Sequence, residues 1–125
     1  IYSLPTTRTV SEERDISGIL EILEDDYARA ILEATRRKQM SAKELSEECD
    51  MSVSTVSRRV NTLLEYDLLI ERTHVDPDGH HYSEYEARLD RVDIQLLETG
   101  FDVHIALRED AADRFTRIWD TMRNE

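Results

Sequence analysis

Only one cysteine, Cys49, occurs in the 125 residues. That excludes an intramolecular disulfide and any zinc centre built on several cysteines. Three glycines are too few, and too scattered, for a loop that cradles phosphates. No apolar run approaches the roughly 18–20 residues that span a bilayer. The N-terminal residues lack the charged, apolar and small-residue succession of a secretory signal. A cytoplasmic protein with no membrane partner is therefore expected. No nucleophile stands in a pattern with a positioned base, so no enzyme and no catalytic residue are expected.

Lysine is also scarce: Lys38 and Lys43 are the only two. Acids are abundant. Asp and Glu number 28 against 16 Lys and Arg, a formal net charge of -12. Such a chain is ordinarily repelled by duplex DNA. The alternative is a protein built for heavy screening, because at about 1 M salt the Debye length shrinks to about 3 Å. The acids are spread along the chain rather than gathered in a tail, which favours an acidic surface suited to a cytoplasm with molar salt.

The apolar spacing divides the chain into three parts. Residues 1–11, with Pro5 and several hydroxyl residues, read as an extended arm ordered against a partner chain. Residues 12–88 read as a helix-turn-helix domain with a leading helix. A first helix is predicted over 12–24, with Ile16, Ile19, Leu20 and Leu23 on one face. A second starts near Asp25 and Asp26 and runs to Lys38, with Tyr27, Ala30, Ile31 and Ala34 inward. Ser41 to Glu44 forms a capping box that opens a short helix to about Cys49. Asp50 and Met51 turn the chain, and Ser52 caps a further helix with Val53, Val56, Val60, Leu63 and Leu64 inward.

A strand from Leu68 to Val75 follows, then a turn at Asp76-Pro77-Asp78-Gly79 and a returning strand over 80–88. Residues 89–125 add a second hairpin that turns at Glu98-Thr99-Gly100, and a final helix to about Arg123. The fold class expected is α+β: a winged helix-turn-helix with an added β-hairpin and a C-terminal helix, dimeric.

The major groove of DNA is about 12 Å wide and admits one helix. A helix that reads it buries one face and offers short polar and basic side chains on the other. Residues 52–62 fit that requirement. The candidate DNA contacts are Ser52, Ser54, Thr55, Ser57, Arg58, Arg59 and Thr62, with Asn61 on the same outward face. Arginine pairs bidentately with guanine or phosphate. Lys43 before this helix, and Arg72, His80, His81 and Tyr82 on the first hairpin, are further candidates. Arg36 to Lys38 are lesser ones.

His74, Asp76, Asp78, His80 and His81 also form a possible ligand set for a divalent metal. The preferred reading is a polar hairpin tip that meets DNA or water, with no metal and no cofactor beyond monovalent salt ions. Cys49 lies beside Glu47, Glu48 and Asp50, so a packing role is favoured over a redox role. Phe115, Ile118, Trp119 and Met122 stripe the final helix, and with Ile16, Ile19, Leu20 and Leu23 they are the candidate dimer face. A dimer presents two reading helices about 34 Å apart, which predicts a pseudo-palindromic site in double-stranded DNA.

Met51 to Val60, with Leu63-Leu64 and Asp67-Leu68-Leu69, resembles the DNA-reading helix of the ArsR-like winged-helix repressors. Ser41 to Leu45 resembles their preceding helix. The likeness covers roughly residues 26–88. The cysteine-rich metal motif of that family is absent, which puts heavy-metal sensing in doubt. The acidic composition, the second hairpin and the final helix are similar to small haloarchaeal regulators that respond to oxidants. The resemblance implies a homodimeric regulator of oxidative-stress genes. Two alternatives stay open: a winged-helix module for protein contact, and a metal- or ligand-responsive sensor.

Overall fold

A computed structural model describes residues 7–10, 16–108 and 111–123. It contains helices α1 (Ile16–Glu24), α2 (Asp26–Arg37), α3 (Ala42–Glu48) and α4 (Val53–Glu65), and at the far end α5 (Ala111–Arg123). The strands are β1 (Thr7–Val10), β2 (Met40–Ser41), β3 (Leu69–Val75), β4 (His81–Ala87), β5 (Leu89–Leu97) and β6 (Gly100–Arg108). They form two antiparallel three-stranded sheets, ordered β2-β4-β3 and β1-β6-β5.

The helices end where local chemistry stops them. Asp25 caps α2 by accepting from the Tyr27 N–H. The capping box of α3 is complete. The Glu44 N–H donates to Ser41 Oγ and the Ser41 N–H donates to Glu44 Oε1, each at 3.2 Å. Ser52 Oγ accepts from the Thr55 N–H at the start of α4. Both helices of the α3–α4 pair stop at an aspartate in the left-handed region, Asp50 at φ 51° and Asp67 at φ 60°. In each case the next residue reaches back over the last turn. The Met51 N–H donates to Ser46 O and the Leu68 N–H to Leu63 O, closing carbonyls that the helix leaves open. Asp is one of the few residues besides glycine that visits this region readily.

One core joins these elements. Ile31, Leu45, Val56, Leu63 and Leu68 are almost wholly enclosed, with Ala28, Leu32, Val60, Leu69 and Ala87 around them. Thr35 is also buried, and its hydroxyl donates back to Ile31 O at 2.7 Å, which satisfies it inside α2. Leu107 of β6 belongs to the same core, and Ile105 packs against it. The second hairpin is therefore rooted in the helical part. Arg88 and Arg108 tie the root, the Arg108 N–H donating to Arg88 O at 2.7 Å. The boundary expected between 88 and 89 is a bend within one packed unit.

Several expected faces are rotated. Val53, expected inward, is the first residue of α4 and is 51 % exposed. Tyr27 is exposed, while Ala28 and Leu32 are buried in its stead. The leading helix of 12–24 is described from Ile16 onward, and 12–15 lie outside the described residues. The arm expected over 1–11 is in part a strand of its own chain: residues 7–10 pair antiparallel with β6, Thr7 opposite Arg108 and Val10 opposite Ile105. Residues 1–6 and 11 lie outside the described residues.

Candidate nucleic-acid interface

The polar face of α4 is set by its buried one. Val56, Val60 and Leu63 point into the core. The opposite face must then point out, and Ser54, Ser57, Arg58, Asn61 and Thr62 are all exposed. The leading end is ordered by hydroxyls: Ser52 Oγ lies 3.1 Å from Ser54 Oγ and donates to Thr55 Oγ1 at 2.9 Å. Thr55 is half-buried. Thr62 donates to Arg58 O at 3.2 Å, so part of its hydroxyl is already engaged. Lys43 is exposed at the start of α3.

Arg59 departs from the expectation that pairs it with Arg58. It is half-buried, its Nε forms an ion pair with Asp25 Oδ2, and its guanidinium lies 5.7 Å from the centre of the Tyr27 ring. Successive helical residues differ by about 100° in direction, since about 3.6 residues make a turn. Arg58 stays on the outward face and Arg59 swings to the flank that meets the start of α2. Only a tertiary contact distinguishes them, and the sequence carried no signal for it.

The β3–β4 hairpin follows α4, and β3 contacts that helix. Arg72 is paired with Glu86 at 3.2 Å, and His74 with Glu84 at 3.0 Å, diagonally across the two strands. His74 also stacks on Tyr82 with ring centres 5.4 Å apart. The candidate cation Arg72 thus already has a carboxylate partner, whereas Tyr82, His80 and His81 remain exposed. The turn is held by Asp76, whose Oδ1 accepts from the N–H groups of Asp78 and His80 at 3.0 and 2.8 Å. Gly79, at φ +85°, supplies the left-handed position that the turn needs. Ligand atoms of Asp76, Asp78 and His80 lie within 4.8 Å of one another; His74 and His81 do not join them.

Cys49 is half-buried, with Sγ 3.7 Å from Ala30 O. Burial pushes its thiol pKa up, Glu48 and Glu33 add to the rise, and Arg37 opposes it. The Tyr85 hydroxyl is likewise pushed up by burial, then by Glu71, against a hydrogen bond from Ser83.

The candidate dimer residues divide. Ile19 is buried within its own chain, and Ile16 and Leu23 are half-buried. Leu20, Phe115, Ile118, Trp119 and Met122 are exposed. Phe115 and Trp119 stack on each other, 6.5 Å between centres, and so form one continuous apolar ridge on α5. The second hairpin adds Ile94, Leu96 and Phe101, all exposed and on one face of the sheet, which the sequence reading left out. Their alternation was visible, but alternation does not tell an inward face from an outward one.

Among the described residues no helix is long and apolar enough to cross a membrane. No curated protein matches this sequence. Residues 23–72, from the end of α1 to the middle of β3, match the family described as a helix-turn-helix domain, and this similarity supports a helix-turn-helix regulator that binds DNA.

Proposed function

We propose that the protein is a sequence-specific, winged helix-turn-helix transcription regulator that acts as a homodimer in a salt-rich cytoplasm. The observation that carries the reading is α4: Val56, Val60 and Leu63 are buried, and Ser54, Ser57, Arg58, Asn61 and Thr62 face outward. In this mechanism α4 enters the major groove. Arg58 holds a phosphate or a guanine edge, and the hydroxyls read bases or anchor the backbone. The β3–β4 hairpin acts as the wing. Its exposed Tyr82, His80 and His81 flank the duplex, Lys43 meets a phosphate, and Arg72 joins only by leaving Glu86.

The dimer supplies the second reading helix and hence the preference for a pseudo-palindromic promoter site. The apolar ridge of α5 supports the dimer, because exposed contiguous apolar surface ordinarily marks an interface. The resemblance to haloarchaeal regulators extends the reading to genes of the oxidative-stress response. The net charge of -12 has its own consequence. Carboxylates near the duplex need cations between them and the phosphates, so binding takes up ions. The usual loss of affinity with salt is then flattened or reversed. No other cofactor is required.

The test is fluorescence anisotropy with fragmented promoter DNA in about 2 M KCl, where charge is screened within a few ångströms. Saturable binding that Arg58→Ala weakens is the expected result. Absence of binding at every salt concentration would move the reading to a protein-contact module, which the acidic charge favours. A divalent metal retained after dialysis would favour the sensor, for which Asp76, Asp78 and His80 are the grouped ligands.

A further inference from the structure

We propose that Arg59 does not contact DNA but is a positioning residue that fixes the reading helix α4 against the start of α2. The inference rests on the DNA-binding reading of α4. Arg59 and Arg58 are adjacent and chemically identical, yet their surroundings differ. The Arg59 guanidinium is engaged twice, its Nε edge in an ion pair with Asp25 Oδ2 and one face over the Tyr27 ring. Asp25 serves two purposes with one carboxylate. Oδ1 caps α2 by accepting from the Tyr27 N–H at 3.1 Å, and Oδ2 holds Arg59. The first turn of α2 and the middle of α4 are thereby tied at a single side chain.

The tie sits where the helix needs it. The core side of α4 is held by Val56, Val60 and Leu63, and Arg59 adds a contact on the flank. The flank is open: beneath Arg59 lies a cleft of about 220 Å³, lined also by Gly18, Asp25, Thr62 and Tyr66. Apolar Ile22, Ala28 and Leu63 form the floor of that cleft, and the ion pair and the ring contact add a directional tie at its rim. A reading helix must hold its side chains to within about 0.5 Å and 10–20° of the productive geometry. The pair is also partly buried, so salt screens it less than it screens a surface pair. A tie of this kind persists at salt concentrations that dissolve exposed ion pairs.

The experiment compares Arg59→Ala, Asp25→Asn, their combination and Arg58→Ala in the full chain. Asn at 25 keeps the capping oxygen and removes the charge. DNA affinity is measured by anisotropy across a KCl series, and thermal midpoints are measured without DNA. The expected result is that Arg59→Ala and Asp25→Asn each weaken binding by roughly tenfold, and that the double variant is no weaker than either, as coupled residues behave. All three keep the wild-type dependence of log affinity on log salt, whereas Arg58→Ala changes that slope by about one phosphate contact.

An Arg59→Ala slope change like that of Arg58→Ala, with Asp25→Asn binding normally, would overturn the proposal. The thermal midpoints decide it separately. Shifts that are non-additive between positions 25 and 59 support the tie even if the wild type binds no DNA, in which case only the regulator reading falls. Additive shifts refute the tie.

Discussion

The two ends of the molecule handle the same kind of residue in opposite ways. From α1 to β4, apolar side chains converge: Ile31, Leu45, Val56, Leu63 and Leu68 touch one another and exclude water. In the outer half of the β5–β6 hairpin and along α5 they diverge. Leu96 is 73 % exposed, Phe101 64 %, Phe115 68 % and Trp119 53 %. Composition alone does not separate these regions, because both alternate or repeat apolar residues at the proper period. What separates them is whether the chain folds back over the apolar face. Capped helices with short turns bring α2, α3 and α4 together. The second hairpin, anchored at Leu107, extends away from that core, and α5 has no facing element among the described residues that covers its ridge. The first region covers its apolar face within the chain, and the second leaves it exposed.

The largest expected effects test that second region. Phe115→Glu combined with Trp119→Glu places two charges on the ridge. Sedimentation in high salt should then show the mass of one chain where the wild type shows two. Affinity for a two-half-site duplex should fall by about 10²-fold or more, the loss that follows when a linked second contact is removed. A wild type that sediments as one chain at micromolar concentration would break the comparison, because the exposed ridge would then have no partner copy. In the first region the corresponding experiment is Leu63→Ala. It should lower the unfolding free energy by about 2–5 kcal/mol in urea titration, with the oligomeric mass unchanged. Equal stability losses from Leu63→Ala and Trp119→Ala at protein concentrations that keep the chain monomeric would show that α5 packs within its own chain.

The same contrast explains what the residue pattern revealed. Caps and turns are local chemistry, and the capping box at Ser41, the cap at Ser52 and the Pro77–Gly79 turn stand where the sequence placed them. Element order was legible for the same reason, since period and punctuation are properties of short segments. Facing was legible only in the middle of elements. Val53 and Tyr27 fall outside the core because they lie at helix starts, where a neighbour's reach, and not the helical period, sets burial. The strand at residues 7–10 was missed because four residues carry no measurable alternation; its identity comes from the β6 edge that it covers. The ion pair of Arg59 was not legible because its partner Asp25 stands 34 positions earlier and meets it only after folding.

Smaller effects sharpen the account of the local signals. Ser41→Ala removes one half of the reciprocal pair that opens α3, and should cost about 1 kcal/mol, measured by thermal or urea unfolding. Asp67→Gly acts in the other direction. Position 67 holds φ at 60°, where glycine is free of side-chain strain but has more freedom to lose on folding. The two contributions oppose, so the net change should stay within about 0.5 kcal/mol. A loss well beyond that would mean that the Asp67 carboxylate itself contributes to the junction of α4 and β3.

The smallest expected effect concerns Cys49, and here a null result is the informative one. Its thiol is half-buried, held near Ala30 O, and its pKa is raised first by burial and next by Glu48. Thiolate, not thiol, is the form that oxidants and alkylating agents attack. Cys49 should therefore react with iodoacetamide at pH 8 more slowly than a free thiol, and Cys49→Ser should keep the response to peroxide in a promoter-reporter assay. Loss of that response would make Cys49 the sensor and overturn the packing role. The raised value has a second consequence with a definite sign. The folded chain holds this proton more tightly than the unfolded chain, whose thiol titrates near the ordinary value of 9.0. Below that value the two states carry the same proton and Cys49 leaves the unfolding free energy independent of pH. As pH rises from there toward the folded value, the unfolded chain releases the proton first and stability falls. Tyr85, raised from 10.0, acts in the same direction at somewhat higher pH. Urea midpoints measured from pH 8 to pH 10.5 should thus decline for the wild type, and Cys49→Ser should remove the earlier part of the decline while leaving the part that belongs to Tyr85.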